Sequence, residues 1–337
     1  MKQCVIAVLA AIAAYFSQPA LAWAHEGHEV IGSIADELLS ARAREQVAQI
    51  LGFELRVAGS WADCARSVIR GSDGTFEYEP DPLHPQYSVA CTAFQTPGEI
   101  ARMEDYVRRN WSNCFYESGH GCDETYHFAD VAIQHDHYDR AYIGTSDHDI
   151  VSAIRAAVIV LDGKPAPLPF SIRDKKEALF MLAHLVGDIH QPLHVGAVYL
   201  DPGGRLIDPD TGAPDDPKTH TAGGNFIHEQ HGNLHSEWDQ IPRSFGRSAT
   251  PAIARAAAAV ASTHGPPETW AEAWASDTIL AARSAFAGAS FKGDGHGHWV
   301  VVFADRRQYL ESEKMIKMAQ IEKAGARLAQ LLNAMWP

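Results

Sequence analysis

Positive charge is scarce in this 337-residue chain: Lys and Arg number 28 against 42 Asp and Glu, a formal net charge of −14 with neutral histidine. That balance excludes a broad basic surface that holds polyanions by releasing their counterions. A phosphate-bearing substrate would have to be drawn by bound cations and local contacts. Long apolar runs are scarce too. Residues 5–16 form one, behind Lys2 and ahead of Ala20-Leu21-Ala22, and they read as a secretory leader with a small-x-small cleavage site after Ala22. No later apolar segment is long enough to span a bilayer, so the expectation is a secreted or periplasmic protein beginning at Trp23, monomeric and without stable membrane association. The leader would take one Lys and no acid with it, leaving the mature chain more acidic still. Cysteine is rare, and no C-x-x-C pair occurs, which weighs against a zinc knot. Cys4 leaves with the leader. Cys64, Cys91, Cys114 and Cys122 remain, an even number in an exported chain, so two disulfides are expected in one of three connectivities.

Internal repeats and low-complexity tracts are absent, and helical periodicity dominates. It predicts helices over 29–51, 60–68, 97–112, 147–162, 173–190, 233–240, 250–263, 268–288 and 305–335. The expected fold is all-α, a single domain over 23–337 with long irregular loops at 71–96 and 201–224 and an insertion at about 71–122. The C-terminal hundred residues add only helical character, with a last helix that packs.

The chemistry concentrates in His184-Leu-Val-Gly-Asp188-Ile-His190-Gln-Pro192-Leu-His194. His184 and Asp188, four apart, share one helix face and can grip one ion. Pro192 stops the helix, and the turn beyond it brings His194 back at an angle that the helix cannot offer. His235 and Asp239 repeat the one-face pair. Trp23 and His28 open the mature chain, where a free amine with a pKa near ~8 is itself a metal ligand. Asp63 and Arg66 supply a carboxylate and a cation one turn apart, and His127-Phe128-Ala-Asp130 adds an imidazole, an aromatic ring and another carboxylate. His190 reads as an orienting partner of the ligands. His25, His120, His135, His137, His148, His220, His228 and His231 read as solvated residues.

This ordered set, with Gly223-Gly224-Asn225, resembles the zinc-dependent single-strand nucleases of fungi and plants, the S1/P1 nucleases, which are relatives of bacterial zinc-dependent phospholipase C. The likeness runs from residue 23 to 239. It implies the fold of that superfamily and three zinc ions: one on Asp63, His127 and His184, a second on Trp23 (amine and carbonyl) and His28, with Asp188 bridging the two, and a third on His194, His235 and Asp239. It implies that Asp63 orients the attacking water, Arg66 steadies the phosphate, and Phe128, Asp130 and Asn225 hold the base. The implied activity is hydrolysis of single-stranded DNA and RNA to 5′-phosphate products, with 3′-nucleotides as further substrates. A phospholipase C and a non-catalytic zinc-binding protein are the alternatives. The Phe128-x-Asp130 pair favours a base over a lipid headgroup, and Arg66 has no use in storage. Two departures stand out: Ala24 replaces the family's glycine, and the long spacer between Asp63 and His127 reads as a disulfide-stapled ornament bordering the cleft.

Overall fold

The computed structural model describes residues 23–80, 89–114, 121–212, 214–229 and 232–337; the expected leader at 1–22, His120 and His231 lie outside them. Among the described residues about 52% are helical, most of them in twelve α-helices: α1 (His25–Leu38), α2 (Ala41–Leu51), α3 (Leu55–Ala58), α4 (Trp61–Ala65), α5 (Pro97–Asn110), α6 (Ile150–Leu161), α7 (Lys175–Asp188), α8 (Pro192–Val195), α9 (Leu234–Asp239), α10 (Pro251–Ala258), α11 (Trp270–Ala285) and α12 (Arg306–Met335).

The centre of the fold is α7, whose residues from Glu177 to Asp188 are all buried. A helix apolar on every side belongs inside a core. Asp174 starts it by accepting a hydrogen bond from the Glu177 N–H (2.9 Å). Phe180 on α7 stacks on Trp61 of α4 at 4.9 Å and meets Phe94 at 5.6 Å, which fixes the short helix carrying Asp63 against the long one carrying His184 and Asp188. Four residues beyond the end of α7, Pro192 opens α8, where its missing N–H costs nothing.

The single helix expected over 29–51 is two, because Leu39 turns extended and Ser40 caps α2, its hydroxyl accepting from Ala43 N (3.1 Å). The fold is rich in helix without being wholly helical. It holds β1 (Val68–Arg70) paired antiparallel with β2 (Phe76–Tyr78), β3 (Val131–Ala132) parallel to β4 (Gly196–Ala197), and β5 (Tyr199–Leu200) antiparallel to β6 (Leu206–Ile207). A four-stranded sheet in the order β8 (Gly232–Asn233), β7 (Ile227–Glu229), β10 (Trp299–Phe303), β9 (Ala289–Gly293) corrects the reading of the C-terminal hundred residues as helical only. There Trp299 and Val301 point inward and Val300 and Val302 outward, an alternation of period two that fits a half-buried strand.

The cysteines pair Cys64–Cys91 and Cys114–Cys122. The insertion is no ornament: Arg109 on α5 holds the fully buried Glu177 carboxylate of α7 at 2.8 Å, and Tyr106 packs edge-on to Trp61 at 5.0 Å. A buried carboxylate needs such a cation, so α5 is part of the support for α7.

Candidate metal centre

Asp188, at the end of α7, turns its carboxylate into a ring of imidazoles. Oδ1 lies 3.2 Å from His28 Nε2, and Oδ2 lies 3.0 Å from both His184 Nε2 and His127 Nδ1. The His28 ring stacks on His184 at 3.9 Å, an approach that Gly187 permits: a Cβ there would stand 2.8 Å from His28 Nδ1. Asp63 Oδ1 comes within 3.8 Å of His184 Nε2. Trp23 is buried with its indole N–H donating to Gly187 O (2.9 Å), so the residue after the expected cleavage point is anchored beside Asp188.

A second group forms where α8 meets α9. His194 Nε2 and His235 Nε2 face each other at 3.1 Å, with Asp239 Oδ1 3.9 and 3.7 Å away. In each of the sets His28, His184, Asp188 and His194, His235, Asp239, one ligand-type atom per residue falls within 4.8 Å of the others, and all six side chains are buried.

Whether these residues fit a metal turns on their second nitrogens. His184 Nδ1 donates to Gly59 O (2.7 Å), His194 Nδ1 to His127 O (2.7 Å) and His235 Nδ1 to Gly223 O (2.8 Å). A carbonyl can only accept, so each Nδ1 keeps the proton and each Nε2 presents a lone pair inward. Among the described residues, both Asp63 oxygens and Asp188 Oδ1 are buried without hydrogen-bond donors. Converging lone pairs and carboxylates in a dry site are costly unless a cation joins them, and the all-His/Asp donor set is one that zinc accepts.

Proton affinities differ between the two groups. Burial opposes ionisation of Asp188, yet the facing His184 and the close imidazoles of His127 and His28 hold its carboxyl well below the usual range. Burial works against charge on His184 too, and Asp188 and Asp63 outweigh it, pushing the imidazole up to about 9. His235 goes the other way, down to about 3, through burial and the neighbouring His194. Burial raises Asp239 well above its ordinary value. The Arg66 guanidinium, half-buried, adds positive charge felt at Asp63, His127 and His235, so it acts on both groups of candidate ligands.

Phe128 and Asp130 lie half-buried in the segment leading from His127, with Ala129 N donating to His194 O (2.7 Å). Burial lifts Asp130 to about 6, against the charge of His220 and the Gly223 N–H. Gly223 adopts φ 57°, and a Cβ on it would come 2.4 Å from Leu193 O, so only glycine can bring that carbonyl to His235. Asn225 follows, half-buried, its amide donating to Ala222 O (2.8 Å).

Several histidine readings change, His135 among them: it bonds Asp210 (2.7 Å) and stacks on Tyr142 (3.7 Å). His25 is buried, with Nδ1 3.8 Å from Asp63 Oδ2; its spacing of three from His28 on α1 was the available signal. His190 does not orient a ligand carboxylate, since Nδ1 donates to Val186 O (2.7 Å) and Nε2 takes a hydrogen bond from Arg327 (2.8 Å). That work falls to its neighbour Gln191, fully buried, whose amide donates to Asp239 Oδ1 (2.8 Å). His228 is no solvated residue either, as it bonds His298 at 3.0 Å.

A sequence model of the S1/P1 nuclease family matches residues 23–336. No curated protein matches the chain.

Proposed function

Because the chain belongs to the S1/P1 nuclease family, we propose that it is a secreted or periplasmic zinc-dependent endonuclease that hydrolyses single-stranded DNA and RNA to 5′-phosphate ends and also dephosphorylates 3′-nucleotides. The observation that carries this is the Asp188 carboxylate, faced on both oxygens by imidazole nitrogens at 3.0–3.2 Å, with the His194, His235 and Asp239 group beside it. Asp63, His127 and His184 would hold one zinc, Trp23 and His28 a second with Asp188 between them, and His194, His235 and Asp239 a third. Bound zinc supplies water that ionises near neutral pH and positive charge against the phosphate.

The protein's own groups then have definite tasks. Asp63 accepts a hydrogen bond from the attacking water and points it at phosphorus. Arg66 donates to the phosphate oxygens as charge builds there, and the P–O3′ bond breaks, leaving the phosphate on the 5′ end of the downstream piece. Phe128 offers a face on which a base can stack, within reach only if that base has left a duplex, so single strands are preferred. Asp130 contacts the base edge. With its carboxyl lifted to about 6, it accepts a hydrogen bond from the base above that pH and offers one below it.

The test is a labelled single-stranded oligonucleotide given to protein beginning at Trp23, with and without chelator, and end-group analysis of the products. Chelator-sensitive cleavage to 5′-phosphate ends is expected. Zinc-loaded protein that leaves the strand intact while hydrolysing phosphatidylcholine vesicles would replace this reading with a phospholipase.

A further inference from the structure

Directly after Asn225 the chain enters β7, and the outward face of the four-stranded sheet carries a row of rings. Phe226 is 40% exposed, and its ring lies parallel to that of His298, centroids 5.4 Å apart and 9° from coplanar. His298 Nδ1 in turn meets His228 Nε2 at 3.0 Å. The register explains the grouping. Parallel pairing of β7 with β10 sets Ile227 beside Trp299 and His228 beside Val300, so Phe226 and His298 fall one step earlier, side by side. Alternation sends Ile227, Trp299 and Val301 into the core and leaves Val300, 44% exposed, and Val302, 59% exposed, on the same side as Phe226. Lys292 on β9 pairs with Val300 and is exposed on that face. Asp294, at the neighbouring loop, is exposed, its carboxylate accepting from the His296 and His298 N–H groups.

Phe226 seals nothing: Ile227 fills the core beneath it. A large ring kept in water at this place has a position instead. Gly223 O binds His235, and Phe226 follows three residues later, so its Cα lies within about 11 Å of that glycine at 3.8 Å per step. The residue therefore follows the candidate metal centre closely in the chain, just past Asn225.

We propose that Phe226 and His298 form a stacking platform for a base of single-stranded nucleic acid, one or more nucleotides away from the phosphate being cleaved, with Lys292 facing the strand's backbone. The proposal rests on the nuclease reading and extends it. Its occupant is a nucleotide because the face combines a planar ring, close in the chain to the site, with a cation, the pairing that single-strand binders use without reading sequence. An acidic protein has few other means of gripping a long strand.

The test compares wild type with Phe226→Ala and Phe226→Trp. Two quantities are read: the ratio of kcat/KM on a twelve-nucleotide strand to that on a dinucleotide, and the anisotropy of a phosphorothioate twelve-mer. Thermal melting shows that the variants fold. The ratio should fall at least about fivefold in Phe226→Ala, with matching loss of binding, and recover in Phe226→Trp. An unchanged ratio and unchanged binding overturn the platform. So does a wild-type dimer that Phe226→Ala dissolves while strand binding stays the same, which would make the face a contact between copies. Wild type that hydrolyses neither substrate yet binds the strand more tightly than Phe226→Ala would sink the nuclease reading and leave the platform standing.

Discussion

Asp188 meets three imidazoles with two oxygens, so its removal leaves His28, His127 and His184 without the anion between them. Asp188→Ala is expected to lose two zinc ions per chain and at least about a thousandfold in turnover. Metal content by mass spectrometry beside a rate measurement checks both, and a variant that keeps its metal and its rate would undo the ligand assignment. Asp123 shows a different kind of residue-scale effect. Burial lifts its carboxyl from 3.8 to about 7, and among the described residues no donor reaches Oδ1. Between those two pH values the folded chain holds a proton that the unfolded chain has lost. Stability contributed by this site therefore falls as pH rises from about 4 to 7 and is flat above. Asp123→Asn should remove that slope, gaining on the order of 3 kcal/mol over wild type at pH 8 relative to pH 4, measured by urea unfolding at both pH values.

At the scale of elements, the short α4 has little of its own to hold it: five residues, one face on Phe180 and Tyr106, and the Cys64–Cys91 disulfide to the insertion. Replacing both cysteines by serine should cost about 3–4 kcal/mol in urea unfolding. It should lower activity more than Cys114→Ser with Cys122→Ser does, because Asp63 and Arg66 flank the first bridge. Elements such as α7 were legible in the sequence because their stop and start signals are local: Asp174 caps, Pro192 ends. Two pairs of the proposed ligands, His184 with Asp188 and His235 with Asp239, were legible for the same reason, lying four apart on helices. The four-stranded sheet was not, because β7 and β10 are about seventy residues apart and pair across the fold, and their strands are only three and five residues long. Gln191 stood in plain view between His190 and Pro192, but which of two adjacent polar side chains turns toward Asp239 is decided by the turn after α7. That is tertiary information. The place of Arg109 on Glu177 was hidden likewise.

Over the whole molecule, a net charge of −14 confines attraction for nucleic acid to the metal centre, Arg66 and isolated cations such as Lys292. The dependence of log KM for a single strand on log salt should accordingly be shallow, with a slope of magnitude about 1–2; a magnitude of about 6 would mean a basic track after all. The parts of that centre are braced from behind by one element. Along α12, Lys317 donates to Glu237 O (2.6 Å) and Gln240 O (2.8 Å) at the end of α9, Gln320 donates to His190 O (3.0 Å), Arg327 to the His190 ring (2.8 Å), and Gly325 is packed so closely on Ile34 of α1 that a Cβ would stand 2.5 Å from it. Every proposed ligand, from Trp23 to Asp239, precedes this helix in the chain. A chain clipped within α12 would keep all these residues and lack the wall that presses them together, so it should hold zinc less tightly than the intact chain.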